Sequence, residues 1–200
     1  MWVGWFGFTG GVAAGPMETV TSAFVAIQMS AAAAAMAWMT IEWLQRDKPT
    51  ALGAMSGAVA GLVAAAPAAG YVSPLASIVI GVGAGGLCYM VVNYVKLIVG
   101  YDDALDVFGM HGVAGTWGVI ATGLFATTAV NAGGSDGLFY GYPYQFFAQM
   151  VAVAAAWIVA GAMSWLLLRI LRVFVSCRVG EEAEMTGLDL DQHGEKGYTG

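Results

Sequence analysis

Residues 102–127 read DDALDVFGMHGVAGTWGVIATGLFAT, and this stretch decides the class of fold. Asp102, Asp103 and Asp106 crowd its start, and beyond them His111 is the only ionisable side chain as far as Thr127. An apolar helix of about 20 residues crosses the hydrocarbon core of a bilayer, so the pattern predicts a membrane span over residues 104–127. Carboxylates at its start suit a helix N-terminus, because they cap free amides and oppose the positive end of the helix dipole. Helix of about 12 Å separates Asp103 from His111, which puts the imidazole near mid-membrane. Polar groups there face a cavity or a partner. Position alone leaves two readings of His111 open: a pore or proton-relay residue, or a buried residue bonded to a neighbouring helix.

The rest of the chain fits the same solvent. Of 200 residues, 59% are hydrophobic and only 10% charged, with a mean hydropathy of +0.74. Soluble domains carry about 25% charged residues. Further spans are expected over residues 19–44, 50–69, 75–99 and 144–175, and the apolar start, residues 1–14, reads as the end of a helix. The expected fold class is an all-α polytopic membrane protein with about five complete transmembrane helices plus one partial N-terminal helix. The last span would measure about 48 Å and should tilt or project beyond the bilayer. Residues 1–178 form the expected membrane domain and residues 179–200 a polar tail. Gly57–Gly61, Gly81–Gly85 and the run Gly109, Gly112, Gly115, Gly118 are small-residue faces of the kind that let helices approach in lipid.

Charge orients the chain. Arg46, Lys48, Lys96, Arg169, Arg172, Arg178 and Lys196 account for all seven basic residues. With alternating spans they fall on one side, which the positive-inside rule makes cytoplasmic, together with the tail. The loops at residues 71–74 and 128–143 contain no Lys or Arg. The net charge of −6 is concentrated in the tail, at Glu181, Glu182, Glu184, Asp189, Asp191 and Glu195. No clustered basic surface for nucleic acid is present. Cys88 and Cys177 read as unpaired thiols. No hydrolase triad or nucleotide loop can be assembled, so an enzyme is not expected, nor any cofactor or metal. Trp2, Trp5, Phe6 and Phe8 read either as an interfacial aromatic belt or as a gate offering cation–π contacts.

The segment from Asp102 to Gly115 resembles the penultimate-helix motif of the Amt ammonium transporters. Gly57–Val63 followed by Pro67–Tyr71 is similar to a second Amt segment, and Trp5-Phe6-Gly7-Phe8 to the end of the sixth helix. Gly187-Leu188-Asp189 with His193-Gly194-Glu195 and Tyr198 resembles the cytoplasmic tail motif. The resemblance covers essentially the whole chain and corresponds to the C-terminal half of the family's fold. It implies an eleven-helix fold of two inverted halves, assembled as a homotrimer in the cell (inner or plasma) membrane with one hydrophobic, histidine-lined pore per subunit. Carried over by position, His111 is one of two pore histidines, Phe8 is one of two stacked gate phenylalanines, and Val107 lies on the pore helix. The implied cargo is ammonium or ammonia, with methylammonium as its analogue, and the implied tail partner is a PII-type signal protein. Thr9 and Val12 depart from the family, which has Asn after the gate phenylalanine and Ser at the outer-site position. The alternatives are an ammonium sensor or regulatory protein acting through the tail, and a fragment without a function of its own.

Overall fold

A computed structural model describes residues 1–13 and 16–197. Among these residues the fold is all helical: α1 (Trp2–Val12), α2 (Met17–Arg46), α3 (Ala51–Ala65), α4 (Pro74–Met90), α5 (Lys96–Val99), α6 (Ala114–Phe125), α7 (Pro143–Phe174), α8 (Glu181–Thr186) and α9 (Leu188–His193). Two π-helical turns interrupt the pattern: π1 (Val91–Val95) joins α4 to α5, and π2 (Phe108–Val113) leads into α6. The chain divides into two compact units, Met1–Ala154 and Ala155–Gly200.

Local chemistry sets the helix ends. Thr50 caps α3, its hydroxyl accepting from the Gly53 amide at 2.9 Å, and Ser73 caps α4 with Pro74 at the first helical position. Proline fits there because its missing N–H would have had no partner. α5 stops at Gly100, whose φ of 70° is left-handed. Among the described residues, three helices are long and apolar enough to span a bilayer: Met17–Arg46, the continuous Pro74–Val99 stretch, and Pro143–Phe174.

Two of the expected spans come out shorter. α3 covers 15 residues, about 22 Å; Ala66 is still helical, but Pro67 has no amide N–H to continue the hydrogen-bond ladder. Hydrogen-bonded turns carry the chain from Ala66 to Tyr71, with Gly70 at φ 82°. The helix of His111 begins at residue 107 and not at Ala104, since Asp106 sits at φ 56° and cannot continue a right-handed helix.

In the first unit, α2 packs against α3 and α4, and α6 against α3 and α4. The buried side chains are largely alanine, among them Ala23, Ala26, Ala31, Ala34, Ala60, Ala64 and Ala84. With little side chain between them, the backbones touch. A Cβ on Gly61 or Gly81 would collide with the Ser30 carbonyl oxygen, and Ser30 Oγ donates to the Gly61 carbonyl at 2.8 Å. Such close approach is how helices associate where lipid offers no hydrophobic drive. Trp117 Nε1 donates to the Ile80 carbonyl at 2.8 Å, fastening α6 to α4. Trp38 meets Tyr89 edge to face at 5.3 Å.

Candidate functional site

His111 lies in π2, and its side chain is exposed on the surface of this chain, flanked by the buried Gly109 and Met110. No hydrogen bond joins its imidazole to any described residue. π turns inside helices occur frequently at functional sites. The widened turn rearranges the i→i−4 ladder, and Thr116 Oγ1 donates to the Gly112 carbonyl at 2.7 Å beside it. Val107, one turn earlier, is 52% exposed.

Asp103 supplies the cap for this helix: its carboxylate accepts from the amides of Val107 at 2.9 Å and Phe108 at 2.8 Å. Asp106 turns instead to Lys96, with Nζ to Oδ1 at 2.6 Å, and the same ammonium donates to the Asp103 carbonyl. Asp102 is exposed. The three carboxylates therefore have different surroundings, which their shared position at a helix start did not distinguish. Tyr101 stacks edge to face on Phe108 at 5.3 Å, and burial raises its phenol above the usual range.

Phe8 is 57% exposed and lies edge to face with Trp5 at 5.8 Å, and Val12, further along the same helix, is 69% exposed. Thr9 is buried. α1 packs on α2 and α3, whereas π2 packs on α3, α4, π1 and α6. Among the described residues, then, nothing brings Phe8 or Val12 into contact with His111.

The tail folds locally. Gly187, at φ 101°, separates α8 from α9, and Gly194, at φ 68°, closes α9 after His193. Asp189 organises the turn: its carboxylate accepts from the Gly197 amide at 2.8 Å, and its carbonyl from the Glu195 amide at 3.1 Å. The Gly197 amide bond is the main reason its carboxyl is held below the usual carboxylate range. Leu188 is partly exposed. Tyr198 lies outside the described residues.

Two clusters had no place in the sequence reading. Glu42 is buried, and its carboxylate accepts from the Thr50 amide at 2.9 Å, from Thr50 Oγ1 and from Trp38 Nε1 at 3.4 Å. The helical Trp38–Glu42 spacing, just ahead of a Thr suited to cap a helix, was the available signal. The second cluster runs along π1: Arg46 Nη2 donates to Asn93 Oδ1 at 2.8 Å, and Tyr89 and Tyr94 both donate to Gln45 Oε1. Its members lie more than 40 positions apart, so only folding reveals it.

The Ammonium Transporter Family model matches residues 1–198. An ammonium transporter of Bacillus subtilis is 50% identical over 198 residues, 99% of this chain and 49% of that protein. Ammonium transporter Amt1 of Archaeoglobus fulgidus is 40% identical over 199 residues and half of its length. The crystal structure of Saccharomyces cerevisiae Mep2 is 30% identical and superposes with a TM-score of 0.84, over 93% of this chain and 44% of that one. The chain thus spans about half the length of the relatives it matches. A family model running from the first residue almost to the last, with relatives sharing up to half of its residues, establishes that the chain belongs to the ammonium transporter family, a family of transporters and not of enzymes.

Proposed function

We propose that this chain supplies one wall of a path through which ammonium crosses the membrane as ammonia, with His111 as the polar group of that wall. The observation that carries this reading is the exposed imidazole of His111, with no hydrogen bond to any described residue, on the π turn that leads into the apolar helix α6 of an ammonium transporter family chain. A bare ammonium ion in an apolar passage is very unfavourable, so the cation must leave a proton behind. Neutral imidazole both donates and accepts, which suits it to bond ammonia and to relay that proton. Trp5 and Phe8 offer aromatic faces for cation–π attraction at the entrance. Val12 brings no hydroxyl to that entrance, so recruitment there rests on the rings.

The same reading makes the protein a homotrimer in the cell (inner or plasma) membrane, with about five complete spans and a partial one corresponding to half of the family's fold. Its tail lies in the cytoplasm, where the turn built on Gly187, Asp189 and Gly194 would offer a PII-type signal protein a formed surface. The test is methylammonium uptake by the complete transporter with and without His111→Ala. Uptake should fall to background in the variant, and uptake equal to wild type would end the assignment. For the tail, capture of a PII-type protein should be lost when residues 187–198 are deleted. Equal capture would remove the tail from the interaction.

A further inference from the structure

The two π turns face each other. Gly109 in π2 lies so close to π1 that a Cβ there would come within 2.7 Å of Val92 Cγ2. A side chain there would force Val92 or the turn itself to shift, and His111 follows two positions later. Whatever sets the position of π1 therefore sets the surface on which the His111 turn rests.

Asn93 sets it. In π1 the Lys96 amide donates to the Val91 carbonyl, five residues back, and this wide turn disturbs the regular ladder beside it. The Asn93 side chain supplies a donor there: Nδ2 bonds the Tyr89 carbonyl at 3.0 Å. Its Oδ1 accepts from Arg46 at the end of α2. One side chain thus satisfies a carbonyl next to the π turn and anchors the turn to the helix that packs on both α3 and α4. Beyond π1, Lys96 reaches Asp106, just ahead of π2. The junction is consequently tied at both ends, with the Val92–Gly109 contact between the ties.

We propose that Asn93 is a positioning residue for His111, acting through the Val92–Gly109 contact between the paired π turns; this rests on the pore reading of His111. Asn93→Leu keeps the branched shape and the number of heavy atoms and removes both hydrogen bonds. Gly109→Ala pushes the same contact apart from the other side, and Val92→Ala removes the methyl that it meets. In the complete transporter, purified in detergent, the rate at which diethyl pyrocarbonate modifies His111 is read by peptide mass spectrometry, alongside the pH profile of methylammonium uptake. Asn93→Leu and Gly109→Ala should each change the labelling rate several-fold and shift the uptake profile. The Val92→Ala/Gly109→Ala double variant should return both to near wild type. Such rescue distinguishes displacement of His111 from general loss of fold. A wild-type labelling rate in Gly109→Ala, or a defect that persists in the double variant, overturns the proposal. If labelling responds as stated while His111→Ala transports like wild type, positioning stands and the pore reading fails.

Discussion

The alanine-lined packing of α2 on α3 and α4 contrasts with the junction of the two π turns. In the first, main chains meet directly: the Ser30 carbonyl lies where a Cβ of Gly61 or Gly81 would be, and few polar side chains take part. In the second, the hold is exerted by side chains, with Asn93 on Tyr89 and Arg46, Lys96 on Asp106, and Val92 seated on Gly109. Backbone contact leaves nothing to adjust, because neither carbonyl nor Cα can rotate away. Side-chain contact can shift by a rotamer. The molecule therefore places the imidazole of His111 on its adjustable region and supports that region on its unyielding one.

The comparison breaks most easily at the unyielding side. Gly81→Val drives a branched side chain into the Ser30 backbone and should cost about 3 kcal/mol or more. The expected outcome is a steep fall in the melting temperature of the detergent-solubilised protein, or failure to accumulate in the membrane. A variant melting like wild type would mean that α2 and α4 are free to separate. Next is the buried carboxylate at the foot of this packing. Glu42→Ala leaves the Thr50 amide and Trp38 Nε1 without their acceptor, a loss of about 1–3 kcal/mol. Thermal unfolding should report it, and Glu42→Gln, which keeps an acceptor oxygen, should recover part of the loss.

How much of this was legible in the sequence follows from the same contrast. Apolar runs located the long helices within a few residues, because composition alone determines where a chain can cross lipid. Pro67 and the left-handed Asp106 shortened two spans: the first was visible as a proline, but the second depends on a lysine ten positions away. His111 stood out as an isolated ionisable group, whereas nothing local marked its turn as π-helical. Asn93 looks like an ordinary polar residue near a helix end. Its importance comes from Arg46, 47 positions earlier, and from a glycine on another turn. The family motifs identified the tail residues, but not that Asp189 closes the turn.

A smaller effect belongs to the adjustable side. The Lys96–Asp106 pair is partly solvent-exposed, at 25% and 33%, so its direct contribution should stay below about 1 kcal/mol. Lys96→Met should leave the melting temperature nearly unchanged, yet raise hydrogen exchange at the amides of residues 107 and 108. Unaltered exchange there would show that the Asp103 cap holds the turn without help.

The smallest effect belongs to the tail, and its pH dependence has a definite sign. Asp189 has a carboxyl lowered by the Gly197 amide. A carboxylate with a depressed folded-state pKa stabilises the turn above its unfolded value, and this stabilisation is lost as pH falls through the folded value. Hydrogen exchange at Gly197, corrected for intrinsic rates, should thus show constant protection from neutral pH to about 4, the ordinary range of an aspartate. Protection should disappear only below that. Asp189→Asn keeps a weaker acceptor and has no charge to lose. Its Gly197 amide should be less protected at neutral pH and should respond little to acid. Loss of protection already between neutral pH and 5 in the wild type would show that the Asp189 carboxylate is not what holds the Gly197 amide.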